Sequence, residues 1–139
     1  MTYKFLENVA IADAAFEAES NTLNGLFEDC AKATFEIMVP DLKQVDDKEA
    51  KDIEIEEESV DKLLYSFLEE LIYLKDAEAM LFSKFELNVT KNKVSGIVYG
   101  EGINPKKHVL GSDVKAVTLH KFKVWKEGLK WKAIVVLDI

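Results

Sequence analysis

Apolar positions recur along this chain with two different periods, and the switches between them outline its elements. Tyr3-Lys4-Phe5-Leu6 and Ala12 to Ala18 read as short extended segments on either side of residues 7–11. From Leu23 the spacing changes: Leu23, Leu26, Phe27, Cys30, Ala31, Thr34, Phe35 and Met38 recur three and four apart, as one helical face does. Asn21 or Thr22 is suited to cap that helix, and Pro40 ends it near Val39. Residues 41–50 are polar and predict a loop, after which Asp52 to Glu56 alternates like a half-exposed strand. Ser59 is placed to cap a second helix whose face is Val60, Leu63, Leu64, Phe67, Leu68, Leu71 and Leu74.

The remainder predicts strands. Phe85, Leu87 and Val89 alternate with polar residues, Lys91 to Lys93 turns the chain, and Val94 to Gly100 returns. Residues 101–114, with Gly102, Pro105 and Gly111, fit a mobile loop. Ala116 to Trp125, a turn at Glu127-Gly128 and Lys130 to Leu137 form a terminal hairpin. The sum is a single α+β domain over 1–139, two-layered, its helices near 22–38 and 59–75 packed on one mainly antiparallel sheet. Phe27, Phe35, Leu64, Phe67 and Leu71 are expected to be buried together.

Composition narrows the class. With 139 residues, 48% apolar and 32% charged, the chain is long enough for one soluble core. No apolar run approaches the roughly 18–20 residues that span a bilayer, and the start lacks the pattern of a signal peptide. Cys30, the only cysteine, sits on the first helical face as a buried thiol, so neither an internal disulfide nor a cysteine-rich metal site is available. A cytoplasmic protein with no membrane partner is expected.

The net charge is −8, with 18 lysines and no arginine. Residues 1–80 carry 21 acids and 7 lysines, whereas residues 81–139 carry 5 acids and 11 lysines. Nucleic-acid binding calls for a basic footprint, often with arginine forks. The acidic balance therefore points to a protein partner, with no direct nucleic-acid binding.

Common catalytic motifs are absent: the sequence holds no phosphate loop, nucleophile elbow or zinc-type His/Cys spacing. His108 lies in the Gly-flanked loop beside Lys106 and Lys107, where a solvated polar side chain is the plain reading. His120 lies in the terminal hairpin, where packing on the sheet is. Asp13 interrupts a small apolar stretch, and Asp138 closes the most apolar strand, next to Ile139. A carboxylate at the end of a buried strand must be paired, hydrated or metal-bound. Were Asp13, Asp138 and the Ile139 carboxyl to converge, they would suit a hard divalent cation; capping by water or lysine remains the alternative.

These pieces, in this order, resemble the archease family along the whole chain. The opening Tyr3 to Glu7 with Ala12-Asp13 is similar to its first strand and "HTAD" element, and Asn21-Thr22-Leu23 to Glu28 to its helix start. Residues 63–87, the loop His108, Val114-Lys115-Ala116-Val117-Thr118 with His120, and the ending Val135 to Ile139 also match. One departure stands out: Ala10-Ile11 replace the family's His-Thr. The resemblance implies a non-enzymatic activator of the RtcB-type RNA ligase of tRNA splicing, promoting the ligase's guanylylation and multiple turnover. It also implies a divalent metal, calcium first, with magnesium or manganese as alternatives, held by Asp13, Asp138 and Ile139. Lys115 is its residue for acting on the partner. A general chaperone or assembly factor is the alternative role, and a stand-alone metal-dependent hydrolase a third.

Overall fold

The computed structural model describes residues 2–7 and 13–139. Its order is β1 (Thr2–Leu6), β2 (Asp13–Ser20), α1 (Leu23–Met38), β3 (Glu49–Glu56), α2 (Val60–Glu78), β4 (Met80–Val89), β5 (Lys93–Gly102), β6 (Ala116–Glu127) and β7 (Lys130–Asp138). The expected start of the second strand at Ala12, and the Ala10-Ile11 departure, lie outside the described residues.

Both helices form where the 3.6-residue period places them. Thr22 caps α1, its Oγ1 accepting from the Gly25 amide at 3.0 Å. Ser59 holds the N-cap position of α2 but makes no side-chain bond to a helix amide. Its hydroxyl instead leads the interactions that keep the carboxyl of first-turn Asp61 below its ordinary range. The second helix runs one turn past the expected end and stops at Ala79, which is left-handed at φ 52°.

The strands do not form one sheet. They divide into a four-stranded sheet, β1-β2-β7-β6, and a three-stranded sheet, β3-β5-β4, every pairing antiparallel. Alternation identifies a strand but not its neighbour, because pairing is settled by contacts distant in sequence. The first helix packs on β4 of one sheet and on β2 and β7 of the other, so a single core runs across the division. Phe27, Phe35, Leu64, Phe67 and Leu71 are all fully buried there. Cys30 is buried with them, and burial pushes its thiol pKa up.

The face each strand turns to the helices follows from the register. In β2 and β7 the inward pairs are Ala14 with Leu137, Phe16 with Val135 and Ala18 with Ala133. The alternate pairs, beginning with Asp13 and Asp138, therefore lie on the face away from the helices.

Candidate functional site

Asp13 and Asp138 are register partners at one end of the β2–β7 ladder, and Asp138 is flanked on its other side by Ala116 of β6. Directly opposite residues share a face and sit about 4.5–5.5 Å apart at Cα. Two like charges in that position destabilise a sheet unless something positive joins them. The lysines of β7 do not: Lys130 reaches Glu19 at 3.7 Å and Lys132 reaches Glu127 at 3.2 Å, toward the opposite end of the strand. Ile139 follows at once, its side chain half-buried against the core. Among the described residues no three His, Cys, Asp or Glu side chains converge in metal-binding fashion. A cation at this end would need its third oxygen donor from the main chain, a neighbouring residue or water. The side-chain donors present, two carboxylates, are of the hard oxygen type that divalent calcium or magnesium prefers.

Lys115 stands beside this pair. Its backbone N–H donates to the Asp138 carbonyl at 2.8 Å, one residue before β6 begins, and its side chain is exposed. The segment leading to it is not free. Gly111 and Ser112 amides donate to the Met38 and Ile37 carbonyls at the end of α1, satisfying acceptors the helix leaves open. Lys75 of α2, only 4% exposed, places its three donors on Asp113 (2.6 Å), Asp76 (2.6 Å) and the Val114 carbonyl (2.9 Å). Burial lowers a lysine's pKa, but these two carboxylates outweigh it and raise Lys75 above its ordinary value. Sequence reasoning missed this anchor, although Lys75 lies four residues after Leu71, on the buried stripe.

The two histidines are found elsewhere, and each reverses its expected setting. His108 is 1% exposed, not solvated. Its Nδ1 accepts from the Asn104 amide at 3.0 Å, so Nε2 carries the proton and donates to Glu101 at 3.0 Å. Glu101 also takes Lys107 at 2.8 Å and the Asp46 amide at 2.8 Å. Burial opposes its charge, yet Lys107, Asp46 and His108 together hold its pKa down at about 2. This cluster pins residues 101–108 to the chain before β3, so the loop is anchored at both ends. His120 is exposed rather than packed, because β6 bulges there: Thr118 pairs with Val136 and Lys123 with Ile134, which leaves three residues surplus.

Comparison with known proteins settles the family. The model of the archease protein family matches residues 3–139. The chain belongs to the archease family. The archease of Thermococcus kodakarensis is 38% identical over 134 residues, covering 92% of this chain and 93% of that one. The archease of Sulfurisphaera tokodaii is 35% identical over 139 residues, covering 99% and 98%. The solution structure of Methanobacterium thermoautotrophicum protein 1598 superposes with a TM-score of 0.84 at 35% identity, over 99% of this chain and 98% of that one. A crystal structure of a Thermotoga maritima archease, described there as a possible chaperone, has a TM-score of 0.66 at 21% identity and shares the fold. An archease fold here thus carries Asp13, Asp138, Ile139 and Lys115 at one end, with His108 in a separate buried cluster. No helix among the described residues is long and apolar enough to cross a membrane.

Proposed function

We propose that this archease works in the cytoplasm as a non-enzymatic activator of an RtcB-type RNA ligase, promoting the guanylylation of that ligase and its repeated turnover. The observation that carries the reading is the register of β2 and β7, which sets Asp13 opposite Asp138 with the Lys115 amide bonded to the Asp138 carbonyl. A divalent cation, calcium first, would be held by Asp13, Asp138 and the Ile139 carboxyl. It would supply positive charge between two carboxylates that otherwise repel and, facing outward, toward a phosphate.

Lys115 is anchored by its backbone while its side chain is exposed, so it presents a mobile point charge from a fixed base, a role lysine fills for phosphate without an arginine's fork. Lys75 and the carbonyls of α1 fix the approach to that base. A general chaperone would call for a wide apolar face. The exposed Phe5, Tyr73, Val109, Leu110, Leu119 and Leu129 fall instead in five separate segments of the chain.

The test is a guanylylation time course of the ligase with and without this protein. A faster course and more turnovers are expected; an unchanged course contradicts the reading. In parallel, adding residues after Ile139 is expected to weaken calcium binding in calorimetry by removing its free carboxyl. Equal binding by tagged and native chains would remove Ile139 from the ligand set.

A further inference from the structure

Between the N-terminal half of α2 and the bulge of β6 lies a groove of about 360 Å³, away from every residue given a role above. Its apolar walls are Tyr65 of α2 with Leu119 and Phe122 of β6. The rings of Tyr65 and Phe122 meet edge to face at 5.8 Å, so the floor is built, while Leu119 stands 74% exposed.

A single exposed leucine needs no explanation, but the backbone that presents this one does. Its three surplus residues put Lys121 at φ +56°, a left-handed conformation that costs a non-glycine residue on the order of 1 kcal/mol. Within the detour Phe122 packs against the core, whereas Leu119, His120 and Lys121 stand exposed. Val117 is buried before it and Val124 packs against the core after it, as a regular strand would also allow. Strain held at an exposed residue, Lys121, beside an exposed leucine is a mark of a working surface.

The rim says what kind of partner fits. The groove's charged lining is two carboxylates, Glu57 and Asp61, and one lysine, Lys62. Lys62 reaches only Glu58, at 3.8 Å, and the Asp61 carboxyl is held below its ordinary range and stays ionised. Glu57 accepts from the Ser66 hydroxyl at 3.0 Å, and no lysine among the described residues pairs with it. Nucleic acid is repelled by such a rim; a basic protein segment is drawn to it.

We infer that this groove docks a basic segment of a partner protein, one apolar side chain seated among Leu119, Phe122 and Tyr65 and its cations against Glu57 and Asp61. Resting on the reading above, that partner is the ligase, and attachment is separate from activation. Ala116, beside Asp138, is three residues from Leu119, about 10 Å along an extended strand. Because β6 is the edge strand of its sheet, one partner surface lapped over that edge reaches both places.

The experiment titrates fluorescently labelled wild type, Leu119→Ser, Asp61→Asn and Lys115→Ala with the ligase, at low and raised salt, and measures the guanylylation rate at saturation. Leu119→Ser is expected to weaken binding about tenfold or more and Asp61→Asn severalfold, the latter with a shallower salt dependence. Both should reach the wild-type maximal rate once saturating, while Lys115→Ala should bind as wild type does. If wild type binds and stimulates but Leu119→Ser binds just as tightly, the docking inference is overturned and the functional reading stands. If wild type neither binds nor stimulates, the functional reading fails and the inference falls with it. If sedimentation velocity instead shows Leu119→Ser dissociating a wild-type dimer, the occupant is a second copy and the inference is again overturned.

Discussion

The β4–β5 and β6–β7 hairpins are of similar length but treat irregularity in opposite ways. In the first, one surplus residue falls between Phe82 and Lys84, and the structure closes over it. The Ser83 hydroxyl donates to the Val45 carbonyl at 2.8 Å, while Phe82 and Phe85 pack on Phe35 of α1. In the second, three surplus residues are left open, with Leu119 and His120 exposed. The first hairpin is held across its whole length by α1 and by β3, so displacement there breaks packing. Both hairpins end in an edge strand, β4 and β6, but the second is covered by α2 over only part of its length, so β6 can project side chains without loss of core. Function is therefore expected where the ladder is loosest, and stability where it is tightest.

The sharpest way to break this contrast is Gly96→Ala on β5. Gly96 has φ +151°, and a Cβ there would run into the Glu86 carbonyl of the facing strand. A loss on the order of 3 kcal/mol or more is expected in denaturant unfolding; a loss comparable to a surface change would mean the β4–β5 register is not fixed as described.

A smaller effect is expected at the cluster that pins the loop between the hairpins. Glu101→Gln should cost about 1–3 kcal/mol near neutral pH, because buried partners lose a charged acceptor. Its pH dependence carries the sign. The folded carboxyl titrates at about 2 against an ordinary 4.5, so its contribution is present above about pH 4.5 and is lost as pH falls from there toward 2. The variant should lack that part of the acid limb in thermal melts across this range, and an unchanged limb would show that Glu101 is not its source.

The smallest effect belongs to the bulge. Leu119→Ser should change stability by no more than about 0.5 kcal/mol, since its side chain is largely in water. A large loss by the same unfolding assay would make Leu119 part of the core and remove the contrast.

How much of this was legible beforehand follows from the range of each interaction. The faces of both helices were readable because burial repeats within a few residues along one element. The division into two sheets was not, since Ile53 and Phe85 alternate alike whichever strand they join. Residues Asp13 and Asp138 stood out as carboxylates in apolar company and by family resemblance, but their adjacency depends on the β2–β7 register, which no local pattern encodes. His108 read as solvated because its neighbours are Pro105, Lys106 and Lys107; its burial is made by Glu101 and the Asn104 turn folding back on it. Lys75 was open to detection, a charge on an apolar stripe being a signal for a buried partner.

The central claim is that the Asp13–Asp138 end with Lys115 acts on the ligase's chemical step and does not merely steer the encounter. It is tested most directly by the maximal guanylylation rate at saturating activator for wild type, Lys115→Ala and Asp138→Ala, each confirmed folded by circular dichroism. Steering would be rescued by more protein and weakened by salt, since exposed charges are screened over about 8–10 Å. A transition-state contact would not be rescued, so both variants are expected to show a lowered maximal rate even at saturation. Full stimulation by both variants would contradict the account and place activation on another surface.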